Sequence, residues 1–107
     1  MGATKQERSY QTDVLEREEE PPKYAVVLYN DDYTTMDFVV LVLMTIFHKS
    51  QPDATSIMLT IHQEGKGVGG IYDYEIAETK AFQVHKKASS EGFPLRCTIE
   101  EVKPSNK

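Results

Sequence analysis

Six consecutive residues, Tyr24-Ala25-Val26-Val27-Leu28-Tyr29, constrain this chain more than any other stretch. Side chains alternate between the two faces of a strand, so a run without a charged or amide side chain offers neither face to water. The six read as a strand covered on both sides, which belongs in the middle of a sheet. With 107 residues and 39% apolar content, there is material for one domain around one core.

The elements that follow fix the topology. Residues 36–47 carry strand-favouring Val39, Val40, Val42 and Ile46, but a dozen residues is long for a strand. Thr34 with Asp37 three residues later resembles a capping box, and the spacing predicts a helix. Met36, Val39, Val40, Leu43 and Phe47 make one stripe of it, and the opposite side, with Leu41, Val42 and Met44, is apolar too. A second helix starts at Ser50-Gln51-Pro52-Asp53, with a cap, an early proline and an acidic first turn, and stops at Gly65. Met58, Ile61, His62 and Gly65 share one of its faces. A glycine-rich stretch, 65–70, leads into a short second strand. Asp73 is placed to cap a third helix over residues 74–91, which Gly92 stops and Pro94 keeps from resuming. Residues 95–102 alternate enough for a half-exposed last strand.

The order is β-α-α-β-α-β, a single α/β (α+β) domain. Two helices between strands one and two reverse the chain direction, and one helix between strands two and three restores it. A three-stranded antiparallel sheet then needs strand one between the others, with the helices on one face. Residues 1–22 are poor in apolar side chains and hold four acids among positions 16–20 before Pro21-Pro22. They read as a disordered acidic extension, residues 23–103 as the folded domain, and 104–107 as a short tail.

Twelve Lys and Arg stand against seventeen Asp and Glu, a net charge of −5 without a basic stripe, which disfavours nucleic acid and anionic membranes as partners. The longest nearly unbroken apolar run, 38–44, is too short for a bilayer. Cys97 is the sole cysteine, which fits a reducing cytosol, and no apolar signal core precedes the domain. Gln6 stands where a myristoylation start wants Ser or Thr. A bacterial cytoplasm is the expected location.

Candidate chemistry is sparse. Cys97 sits in a predicted strand with no activating histidine nearby in sequence, so a structural thiol is expected. Gly65-Lys66-Gly67 lacks the spacing of a phosphate loop, and His48, His62 and His85 lack metal-ligand spacing. Asn30, Asp31 and Asp32 stand between a strand and a helix, where short polar residues ordinarily build turns and caps. Beside them the helices bring Met36, Val39, Met58, Ile61 and His62, and a polar rim against an apolar hollow has the design of a ligand site.

The strings NDDYTTMDFV, MLTIHQEGKG, YEIAETK and FPLRCTIEEV, in that order across residues 22–102, resemble the ClpS adaptor family. The resemblance implies a non-enzymatic, cofactor-free and monomeric adaptor. It would bind proteins with N-terminal Leu, Phe, Tyr or Trp and deliver them to a Clp AAA+ unfoldase of the ClpA type or a relative. It implies that the Asn30 amide oxygen and a neutral His62 nitrogen accept from the ligand ammonium, while Asp31 and Asp32 supply negative field, one of them through water. The ligand side chain would enter a hollow of Thr34, Met36, Val39, Met58, Ile61 and Leu95, with Met36 crowding branches at Cβ. Glu75, Glu78 and Lys80 would face the unfoldase's N-terminal domain, and its pore would engage the acidic extension. Thr35 departs from a frequent proline, and Gly67 and Gly70 make the lead into strand two more pliable. Two alternatives stand beside this: a small hydrolase or metalloprotein using Asp31, Asp32 and His62, and a docking domain like the ribosomal stalk protein's C-terminal region.

Overall fold

The structure, a computed structural model, describes residues 21–103. Residues 1–20 of the expected acidic extension and the tail at 104–107 lie outside the described residues. Along the chain run β1 (Lys23–Tyr29), α1 (Met36–Thr45), α2 (Gln51–Glu64), β2 (Lys66–Tyr72), α3 (Tyr74–Glu91) and β3 (Arg96–Val102). The strands form one antiparallel sheet in the order β2-β1-β3.

The unbroken apolar run of β1 has two different uses. Val26 and Leu28 are fully buried and join the main core with Val42, Leu43, Ile61 and Val84 from the three helices. Ala25 and Val27 are also buried yet stand apart from that cluster. In register they are flanked by Ile71 and Glu100, and by Val68 and Thr98, so sheet neighbours rather than a second layer of helices cover them. The strand is apolar throughout because it is central.

The helix boundaries follow their caps, with differences from the sequence reading. Thr35, not Thr34, is the N-cap of α1, and its Oγ1 accepts from the Phe38 amide at 3.1 Å. That places Phe38, not Asp37, three residues after the cap, so no capping box forms. The buried stripe of α1 is Phe38, Val39, Val42 and Leu43, rotated from the expected one, and Met36 is left 46% exposed. The helix ends at Thr45 instead of 47, and His48 adopts a left-handed φ of 59° beyond it. A cation from elsewhere finishes this end: Lys80 Nζ on α3 donates to the Ile46 carbonyl at 2.7 Å. Ser50 Oγ accepts from the Asp53 amide at the start of α2, and Gly65 closes it at φ 95°. Asp73 occupies the N-cap of α3 without a side-chain capping bond; its carboxylate pairs with Lys23 Nζ at 2.7 Å.

Of the glycines expected to lead into β2, Gly65 ends α2, and Gly67, Gly69 and Gly70 lie inside the strand. Gly69 is the extra residue where the β1–β2 register shifts, and a Cβ there would stand 3.0 Å from the Phe47 ring. A Cβ at Gly67 would stand 2.8 Å from Ile61 Cγ1. These positions admit close approach of α2 and of the segment after α1 to an edge strand, a packing requirement rather than pliability.

Candidate functional site

Where β1 leaves the sheet, its last carbonyl is followed by a loop that builds itself. Asp31 Oδ1 accepts from the amides of Tyr33 at 2.8 Å and Thr34 at 2.7 Å, while Oδ2 accepts from the Thr34 hydroxyl at 2.7 Å. This is the turn-forming use of a short carboxylate. Burial works to raise the Asp31 pKa, but the Thr34 hydroxyl and the Thr34 and Tyr33 amides outweigh it and leave it lowered. Asp31 is therefore charged at neutral pH with both oxygens engaged. Asp32 is exposed, and its carboxylate makes no hydrogen bond among the described residues.

The second wall comes from α2. The Asn30 amide donates to the carbonyl of Gly65, the residue that ends α2, at 2.9 Å. His62 lies in the last turn of that helix and is exposed, and Met58 and Ile61 are its buried neighbours. One main-chain bond thus ties the loop after β1 to the end of α2.

Between these walls lies a cavity of about 390 Å³. Asn30, Asp31, Asp32 and His62 line its polar part, and Met36, Val39, Met58 and Ile61 its apolar part, with Tyr33, Thr34 and Thr35 between. Val39, Met58 and Ile61 are no more than 9% exposed, whereas Met36 and Tyr33, at 46% and 77%, stand at the opening. The volume is at the small end for ligand sites, enough for one large side chain and its polar head. α1 brings its partly positive N-terminal end to the cavity and α2 its partly negative C-terminal end, so the dipoles oppose each other. The rim's charge is then left to the two carboxylates, and it suits a cation.

Nine of the ten residues expected at the pocket line this one cavity. Leu95 does not; it is 4% exposed in the main core just before β3. The family resemblance implied a place for it in the wall, but here it packs with the core cluster. Tyr33 and Thr35 were missed, and no signal in one sequence separates them from ordinary loop residues. The metal alternative finds no support in the donor set: among the described residues no group of three or more His, Cys, Asp or Glu is placed to hold a metal ion.

Cys97 is not as isolated as its sequence neighbours suggest. Its sulfur lies 3.6 Å from His85 Nε2 and 3.7 Å from the Ala81 carbonyl, and its amide donates to the same His85 nitrogen at 3.4 Å. Burial pushes the thiol up to about 11, so it is protonated at neutral pH and no nucleophile. The histidine pins β3 to α3 instead of activating sulfur.

On α3, Glu75 and Glu78 are exposed, and Glu78 accepts from the Tyr74 hydroxyl at 3.3 Å. Lys80 does not share their face. Its ammonium reaches inward to Ile46 and lies 5.7 Å from the centre of the Tyr72 ring. No helix among the described residues is long and apolar enough to cross a membrane.

Comparison with known proteins gives a consistent result. Residues 19–98 match the family model described as "ATP-dependent Clp protease adaptor protein ClpS". The ATP-dependent Clp protease adapter protein ClpS of Oleidesulfovibrio alaskensis is 59% identical over 92 residues, covering 84% of this chain and 88% of that protein. The protein of the same name from Syntrophus aciditrophicus is 58% identical over 83 residues, 78% of each. Among solved structures, Agrobacterium tumefaciens ClpS2 bound to L-phenylalaninamide superposes with a TM-score of 0.75 at 38% identity, covering 78% of this chain and all of that one.

Proposed function

This chain belongs to the ClpS family of ATP-dependent Clp protease adaptors, and from that premise we propose that it binds proteins through a free N-terminal Leu, Phe, Tyr or Trp. It then hands them to a Clp unfoldase. The observation that carries this reading is the pairing, in one small cavity, of an anionic rim with a buried apolar wall. A protein's N-terminus presents the complementary pair, an ammonium one carbon away from a side chain. The ligand-bound relative from Agrobacterium carries a phenylalanine derivative with a primary amine, which is the same chemistry.

An ammonium has three donors and loses hydration when it enters the site, so it needs acceptors on several sides. The Asn30 amide oxygen and an unprotonated His62 nitrogen accept directly, and Asp32 supplies the opposing charge. Asp31 acts at one remove: its oxygens hold the loop, and what reaches the ligand from it is field or a bridging water. Hydrogen bonds to charged groups contribute about 1.5–3 kcal/mol each. The ligand side chain lies against Val39, Met58 and Ile61 beneath Met36, worth about 1.5–3 kcal/mol when buried. Neither half alone reaches the ~8 kcal/mol of micromolar binding, so both are required. Met36 at the opening crowds a branch at Cβ and disfavours Ile and Val. No bond is made or broken.

Delivery uses α3, whose Glu75 and Glu78 face the N-terminal domain of a ClpA-type or related unfoldase. The setting is the bacterial cytoplasm and the working form a monomer. The test is a pair of Leu-starting peptides that differ only in acetylation of the amino group. The free peptide binds in the micromolar range; the acetylated one, its side chain intact, does not. Equal affinities would remove the ammonium from the account and the function with it.

A further inference from the structure

Phe82 has no use inside the fold. Its ring is 65% exposed, while the core-facing residues of α3 are Ala77, Ala81, Val84 and Ala88. At 3.6 residues per turn, Glu75, Glu78 and Phe82 fall within roughly 60° of helical arc, on the side away from Lys80. A bare aromatic ring beside charged groups has the anatomy of an interface hot spot and its rim.

We propose that Phe82 is the apolar anchor by which the chain docks on its Clp unfoldase, with Glu75 and Glu78 as the acidic edge of the same contact. This deepens the docking reading of α3 and rests on it. An ordinary interface covers about 800 Å² on each partner, a patch roughly 30 Å across. Phe82 is four residues from Glu78, about 6 Å along the helix. A partner centred on the face shared by both glutamates therefore covers the ring. The matching surface is an apolar cleft edged by Lys or Arg. A second copy of this chain fits less well, since it would bring the same two carboxylates face to face. Lys80 lies outside the contact, with its ammonium committed to Ile46.

The experiment measures binding of the full-length chain to the purified N-terminal domain of its Clp unfoldase, for the parent, Phe82→Ala and Glu75→Arg. Affinity for a Leu-starting peptide and the Tm serve as controls of the fold. Phe82→Ala should weaken docking at least about tenfold with peptide affinity and Tm unchanged. If Glu75→Arg weakens docking and Phe82→Ala does not, the anchor is overturned while the docking face stands. If neither does, the docking face falls too. If the parent sediments as a dimer that Phe82→Ala dissociates, the ring serves self-association and the proposal is wrong.

Discussion

Replacing Gly67 by alanine tests how the sheet and the pocket depend on one another. Gly67 faces Leu28 across β2 and β1, and the added methyl would stand 2.8 Å from Ile61 Cγ1. Carbon atoms settle at about 3.5–4.0 Å, so something must open by about 1 Å. Ile61 is 2% exposed and branched at Cβ, which leaves it few rotamers and no free space. Overpacking of this kind costs about 1–3 kcal/mol. Against it, alanine reduces the freedom of the unfolded chain and returns about 0.4–1 kcal/mol. The net loss is about 1 kcal/mol or somewhat more, a fall in Tm of roughly 5–10 °C for a domain of this size. Because Ile61 also lines the cavity, peptides starting with Phe or Trp should lose more affinity than one starting with Leu. Thermal melts and peptide titrations read both effects. Ile61→Ala removes the obstructing carbon, so the double variant should be more stable than the sum of the two changes by about 1 kcal/mol. Unchanged Tm with strict additivity would refute the packing account.

Three further outcomes are expected. His62→Ala removes an acceptor for the ligand ammonium from the cavity rim, so a Leu-starting peptide should bind at least about tenfold more weakly with the Tm unchanged; equal affinity would exclude His62 as an acceptor. Asp31 is held below the ordinary carboxylate range, so its stabilisation is present above the unfolded-state value of about 3.9 and fades as the pH falls through the lower folded value. Asp31→Asn should therefore be less stable than the parent at pH 7, with the gap closing toward about pH 2.5; denaturant melts that keep a constant gap would contradict this. Lys80→Met loses a charge-assisted bond to the end of α1, worth about 1.5 kcal/mol, and should lower the Tm while leaving unfoldase docking intact; weaker docking at unchanged Tm would return Lys80 to the contact surface.

Most of the architecture was legible because its signals are local. Ser50, Gly65, Asp73 and Gly92 mark helix ends wherever they occur, and the central place of β1 follows from its composition and the order of elements. What escaped was settled across long separations. Thr34 and Thr35 are interchangeable as caps until Asp31 claims the first hydroxyl. Lys80 reads as a surface charge because its partner, the Ile46 carbonyl, lies 34 residues away. Cys97 and His85 meet only because α3 packs on β3. Nine of the expected pocket residues meet because a turn and two helix ends come together where β1 stops, whereas Leu95, implied by family resemblance alone, packs into the core.

The single amide-to-carbonyl link from Asn30 to Gly65 bears on how such a receptor can diversify. The spacing between the asparagine and the histidine one turn earlier belongs to the main chain, which substitutions leave in place. Under the proposed function, lining positions such as Met36 and Met58 can therefore be exchanged singly to admit different guests while the polar rim keeps its shape. Selectivity can drift without the clasp being reinvented.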